Sequence, residues 1–202
     1  MKLYYSPGAC SLAPHIVMHE AGVAFQPVLA STKTKKLADG TDYLTINPLG
    51  YVPLLELDDG QRLHECAVIV QYIADQAPAK KLIPAAGTME RYRALEWLNF
   101  ISSEIHKSYS PLFNAAMPEE GKKVYRARVL DRLKWVDAQL EGRDYLMGAH
   151  FSVPDAYLFV VTGWGKHVGV DISGFKHLSA FMARMAARPG VQAAMKTEGL
   201  LK

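Results

Sequence analysis

The strongest constraint on the fold is a change in hydrophobic periodicity a little over a third of the way along the chain. Before it, short apolar runs are separated by turn residues. Residues 2–5 (Lys-Leu-Tyr-Tyr) read as a strand stopped by Ser6-Pro7-Gly8, and residues 25–29 read as a second strand. Between them Leu12, Ile16 and Val17 recur at helical spacing up to Gly22, with Ser11 placed to cap the helix and Pro14 in its first turn. Strand, helix and strand in this order and length make a βαβ unit. A further strand is expected over residues 52–57, with Pro53 at its start. Asp58-Asp59-Gly60 then turns it into a short partner, Arg62-Leu63-His64, and a helix follows from Glu65-Cys66 with Ile69, Val70 and Ile73 on one face.

Residues 77–88 hold two prolines, two lysines and a glycine without periodicity, and read as a linker. Beyond them almost every apolar residue falls at helical spacing. Leu95, Leu98, Ile101 and Ile105 lay out one long amphipathic helix, and residues 125–140 a second. Ser152-Val153-Pro154-Asp155 opens a third with a capping-box arrangement, and that helix is apolar through Val161, as a central buried helix would be. Residues 181–187 and a short C-terminal helix complete the set. The expected organisation is an α/β domain over 1–77, a linker over 78–88 and an all-α domain over 89–202.

Several function classes are disfavoured at once. The net charge of +3 is small, and Lys and Arg are interleaved with Asp and Glu apart from the short run Lys33–Lys36, unlike the localised basic footprint of a nucleic-acid binder. No run approaches the ~18 apolar residues of a membrane span. Leu3, Tyr4 and Tyr5 are too few for the apolar core of a secretory signal, so a cytoplasmic protein is expected. The two cysteines form neither a disulfide framework nor a metal-ligand spacing, and no metal is expected.

Four features can carry chemistry. Cys10 falls at the start of the first helix, where backbone N–H groups and the helix dipole favour a thiolate, or alternatively hold the sulfur of a bound thiol substrate. It can also be simply a small buried hydrophobe. Glu65 and Cys66 lie at another helix start, where a carboxylate and backbone amides suit the amino-acid end of a ligand, or where Glu65 merely caps. Val52-Pro53 places a proline where a strand ladder needs an N–H. A bulge or a cis bond there turns the Val52 backbone outward; a trans bond at a strand edge is the plainer alternative. Asn99, Ser103 and His106, at i, i+4 and i+7, fall within about 60° on the long helix and form a neutral polar stripe, with Glu104 about 140° from Asn99 and off it. His106 can donate to, or take a proton from, a thiol near Cys10. Ser152 and Asp155 are assigned to folding.

The run Tyr4-Tyr5-Ser6-Pro7-Gly8-Ala9-Cys10-Ser11-Leu12 resembles the opening of the bacterial, beta-class glutathione transferases. Asn47-Pro48-Leu49-Gly50-Tyr51-Val52-Pro53, the Glu65 position, the run from Trp97 to Lys107 and Ser152–Asp155 follow in the same order, so the likeness spans nearly the whole chain. The pairing of Cys10 with His106 is the class-specific element; the proline and capping motifs belong to the wider superfamily. The resemblance implies a thioredoxin-like N-terminal domain, an all-α C-terminal domain, a cis bond before Pro53, a homodimer, and glutathione as co-substrate. By position it assigns Cys10, Lys35, Val52, Glu65, Cys66, Asn99, Ser103, Glu104 and His106 to the glutathione site, with some helical residues, Glu104 among them, reaching it from the neighbouring subunit. Cys10 and His106 take the catalytic roles.

Three departures stand out. Cys66 occupies a position where the family often has glycine or a small polar residue, Ser31 and the lysine-rich segment around Lys35 are unusual, and Ala13 stands where thioredoxin has its resolving cysteine. The implied activity is a detoxifying conjugation of glutathione to small hydrophobic electrophiles. The alternatives are thiol-transferase, peroxidase or dehalogenase chemistry through a Cys10 mixed disulfide, and a non-catalytic ligand-binding protein on the same fold.

Overall fold

The computed structural model describes residues 1–201. Its contacts divide the chain into two compact units, Met1–Ile83 with Arg188–Lys202, and Pro84–Ala187.

The first unit is a mixed four-stranded sheet in the order β2-β1-β3-β4, formed by β1 (Lys2–Tyr5), β2 (Gln26–Leu29), β3 (Leu54–Glu56) and β4 (Arg62–Leu63). Strand β1 pairs in parallel with β2 through the crossover helix α1 (Leu12–Ala21), and antiparallel with β3. Leu3 and Tyr4 project to opposite faces of β1, and both are buried. On one side lie Leu3, Ile16, Leu55 and the Ile69–Ile73 ridge of α2 (Cys66–Asp75), which packs along α1. Tyr4 belongs to a separate cluster with Ala30, Tyr43, Val52 and Leu54. Pro27 is tolerated because β2 is an edge strand, where a missing N–H breaks no inner ladder.

Sequence and structure differ at three places in this unit. The strand expected over residues 52–57 begins only at Leu54, because Pro53 offers no N–H and the Val52–Pro53 bond is cis. Ser11 does not cap α1: its hydroxyl oxygen accepts from the Ser6 N–H at 3.1 Å, and the residue has helical dihedrals. The last helix, α9 (Pro189–Thr197), groups with this unit and packs against α1, whereas periodicity alone had placed it with the helical domain. Arg188 explains the attachment by forking onto Glu20, with Nε–Oε1 at 2.9 Å and Nη2–Oε2 at 2.6 Å. Gly190 leaves room for that pair, since a Cβ there would lie 2.7 Å from Glu20 Oε1.

The second unit is helical: α3 (Met89–Phe100), α4 (Lys107–Phe113), α5 (Glu119–Gln139), α6 (Val153–Gly163), α7 (Gly165–Val168) and α8 (Lys176–Ala186). Every residue of α6 from Val153 to Thr162 is buried, the central position that its apolar sequence predicts. Its start is held by Asp155. The Asp155 carboxylate accepts from the Ser152 N–H at 2.8 Å, the Ser152 hydroxyl at 2.7 Å and the Leu146 N–H at 2.8 Å. The expected long helix is present but not uniform. Between α3 and α4, Ile101–His106 forms a π-helical segment.

Candidate functional site

In the first unit the chain around Asn47 builds a rigid turn. The Asn47 side-chain amide and the Tyr43 hydroxyl both donate to the Tyr51 carbonyl at 2.8 Å. Burial pushes the Tyr43 phenol up to about 12, so it stays a donor. Gly50, at φ 62, closes the turn where a Cβ would sit 2.9 Å from Leu44 and 3.1 Å from Lys35. Lys35, itself at φ 55, donates from Nζ to the Gly50 carbonyl at 2.8 Å. This scaffold presents Val52 beside its cis-prolyl bond.

Cys10 meets Val52 directly: its thiol donates to the Val52 carbonyl at 3.2 Å. The amides expected to face the sulfur are partly committed, since Leu12 and Ala13 donate to the Ala9 and Cys10 carbonyls in tight turns. The half-buried thiol therefore leans on the cis-prolyl turn rather than on the helix start alone. Cys66, the first residue of α2, directs its sulfur at the Cys10 carbonyl, 3.6 Å away. Burial, then Cys10 and Glu65, push its thiol well above the ordinary range. Glu65 precedes it at φ 66 and ψ 121, a conformation rare for a non-glycine residue. Its side chain makes no capping bond, so the plain capping role fails; the Glu65 carbonyl alone starts the helix by accepting from Val68 and Ile69. An exposed carboxylate held on strained backbone at a helix start is the kind of geometry that binding sites retain.

In the second unit the π segment separates the expected stripe. A ladder of i→i+5 bonds carries one more residue per turn than an α-helix, which rotates later positions by roughly 100°. Asn99 and Ser103 stay exposed, and the Ser103 hydroxyl donates back to the Asn99 carbonyl at 2.9 Å. His106 turns instead toward α6, with Nδ1 2.7 Å from the Tyr157 hydroxyl, and its ring packs edge-on against Tyr157 and Trp164. Glu104 accepts from Arg132 at 2.9 Å and Arg128 at 3.2 Å, both in its own chain, and these guanidiniums hold its carboxyl below the usual range.

Burial, reinforced by Lys107, lowers His106 to about 4, so the imidazole is neutral at physiological pH. The unfolded chain takes up this proton near pH 6.5, before the folded one does. Stability is thus complete above that value and falls as the pH drops toward 4, by roughly 2–3 kcal/mol from this group. The His106 ring protons are expected to show no titration between pH 5.5 and 8 by NMR, which an ordinary histidine midpoint would contradict.

Two residues escaped sequence reading. Tyr157 looks like one more core position of α6, and only the packing shows its hydroxyl at His106. Glu198 follows α9, where nothing in the local pattern marks it. Its buried carboxylate accepts from the Gly8 N–H at 2.9 Å and pairs with His15 Nδ1 at 2.9 Å, beneath the turn that carries Cys10.

A thioredoxin-like α/β unit with a thiol against a cis-prolyl turn, in one chain with a helical unit carrying a half-buried neutral histidine, defines a glutathione-transferase type of protein. The sequence profile of the glutathione S-transferase N-terminal domain matches residues 8–76, and that of the C-terminal domain residues 100–189. Glutathione S-transferase GstA of Escherichia coli O157:H7 is 44% identical over 200 residues, covering 99% of this chain and all of that one. A sphingomonad glutathione S-transferase solved in complex with glutathione is 47% identical over the full length of both chains, with a TM-score of 0.96. The bacterial transferase BphK, solved as a ternary complex, is 54% identical over 98% of this chain and 100% of its own, again with a TM-score of 0.96. A beta-class enzyme from Sphingomonas chungbukensis is 47% identical over both full lengths. The chain belongs to the glutathione S-transferase family, in its bacterial beta class. No helix among the described residues is long and apolar enough to cross a membrane.

Proposed function

We propose that this enzyme conjugates reduced glutathione to small hydrophobic electrophiles. The observation that carries the reading is the 3.2 Å contact between the Cys10 thiol and the Val52 carbonyl. By the family resemblance the Val52 backbone, beside its prolyl bond, pairs with the cysteinyl backbone of glutathione, which sets the ligand's sulfur beside Cys10. The start of α2, with Glu65 and the Cys66 amide, receives the glutamyl end, and Lys35 supplies a cation at the rim. His106 is assigned to the same sulfur by the family resemblance; a neutral imidazole suits a hydrogen bond to a thiol or acceptance of its proton. Asn99, Ser103 and Glu104 are assigned to the glutathione site on the same basis, from this subunit or a second one in a homodimer. Two cysteines without a disulfide suit the reducing cytoplasm, where we place the enzyme.

The test is conjugation of 1-chloro-2,4-dinitrobenzene by the Cys10→Ala, His106→Ala double variant. Each donor stabilises developing charge by about one to a few kcal/mol, so a loss on the order of 100-fold in kcat/KM is expected. Full retained activity would overturn both roles. A second reading, a Cys10 mixed disulfide with glutathione, is favoured by one observation: the half-buried Cys10 thiol has a second thiol, Cys66, against its own backbone. A glutathione adduct on Cys10 after incubation with glutathione disulfide would distinguish it.

A further inference from the structure

We infer that Cys66 is a resolving cysteine for Cys10, so that the two thiols form a reversible intramolecular disulfide that takes the enzyme out of its conjugating state. The inference extends the mixed-disulfide reading and rests on it only for the glutathione-driven route.

The chain holds two cysteines 56 positions apart, and the fold brings both to the same end of a packed helix pair. Cys66 opens α2, and Cys10 lies just ahead of α1. Thioredoxin-like chemistry needs a second thiol within reach of the first, and the position three residues after Cys10 is Ala13. Cys66 restores a neighbour from the adjacent helix start, with its sulfur 3.6 Å from the Cys10 main-chain oxygen. Closure requires the Cys10 sulfur to leave the Val52 carbonyl, which it meets at 3.2 Å, and turn to the Cys66 sulfur.

The two thiols are unequal in a useful order. Cys10 is half-buried and reachable by a soluble oxidant, whereas Cys66 is buried and held protonated. Oxidation therefore begins at Cys10, and Cys66 reacts only with a sulfur already delivered to its side. With glutathione disulfide as oxidant, the Cys10 sulfur attacks it; the S–S bond of glutathione disulfide breaks, the Cys10–glutathione bond forms, and one glutathione leaves with the Cys10 proton. The Cys66 sulfur then attacks Cys10 Sγ. The Cys10–glutathione bond breaks, the Cys10–Cys66 bond forms, and the second glutathione leaves with the Cys66 proton. One glutathione disulfide is reduced to two glutathiones, and the enzyme dithiol is oxidised to a disulfide. A small thiolate fraction at Cys66 makes the second step slow, while adjacency raises its effective concentration. Slow closure suits a protective lock better than a turnover step, because a locked Cys10 is spared irreversible over-oxidation.

The experiment treats the full-length enzyme in parallel with glutathione disulfide and with diamide, a thiol oxidant that needs no glutathione site. It reads intact mass, and disulfide-linked peptides after alkylation. The expected result in both arms is a monomer that has lost two hydrogens and two alkylatable thiols, with a peptide pair joining Cys10 to Cys66, reversed by dithiothreitol. The Cys66→Ser and Cys66→Ala variants, checked for folding by circular dichroism, are expected to retain the glutathione adduct on Cys10 longer, on the order of tenfold or more. Absence of the linked peptide in wild type after diamide overturns the inference. So does a wild-type adduct on Cys10 that persists as long as in the variants. A link formed with diamide but not with glutathione disulfide supports the resolving pair and rejects the mixed-disulfide reading instead.

Discussion

Replacing Asp155 with alanine is expected to lower the stability of the helical unit by ~3–5 kcal/mol, measured as a shift of the urea unfolding midpoint. The residue is fully buried, and its two oxygens accept from the Leu146 N–H, the Ser152 N–H and the Ser152 hydroxyl. Alanine leaves all three donors in a site where water cannot replace the carboxylate, and each orphaned buried donor costs ~1–3 kcal/mol. That sum is a large part of the 5–15 kcal/mol that separates most folded proteins from unfolded ones. Ser152→Ala should cost less, ~1 kcal/mol, because the backbone amide of residue 152 keeps its partner. Equal midpoints for the wild type and Asp155→Ala would remove Asp155 from the folding role.

The second large effect is expected at Glu198. Glu198→Ala removes a buried acceptor from the Gly8 N–H and a buried partner from His15 Nδ1, and each such lost contact costs ~1–3 kcal/mol. The consequence differs from that at Asp155 because of what the carboxylate supports. Gly8 lies two residues before Cys10, so losing its anchor frees the turn that holds the thiol against Val52. Glu198→Ala is therefore expected to lower the urea midpoint and to speed alkylation of Cys10 by iodoacetamide. Glu198→Gln keeps one acceptor oxygen and should do less of both. A midpoint shift with no change in alkylation would confine Glu198 to folding, and no shift in either would contradict the buried anchor.

Much of this was legible in the sequence because it depends on residues close together along the chain. The β-turn-helix opening, the Asp58-Asp59-Gly60 hairpin, the apolar run of α6 and its Ser152–Asp155 start all follow from spacing and turn chemistry. Even the exceptional Val52–Pro53 bond left a mark, a proline where a strand needs a donor. Local pattern failed where a neighbouring turn took the same group, or where the helix itself changed its winding. Ser11 has the right residue type and position for a cap, but the Ser6 amide takes its hydroxyl. The Asn99–Ser103–His106 stripe assumed unbroken α geometry, which the π segment replaces.

The amino-acid sequence by itself determined two folding patterns joined by a linker, and a thiol at the head of the first helix. Tertiary structure decided what surrounds that thiol: Val52 at its sulfur, Cys66 at its backbone carbonyl, and Glu198 at Gly8 in the turn before it. The physical reason is range. Helical and strand periodicities are set within a few residues, whereas these three partners lie 42, 56 and 190 positions from the residues they contact. Only packing of the sheet, the two helices and the returning C-terminal segment brings them to Cys10.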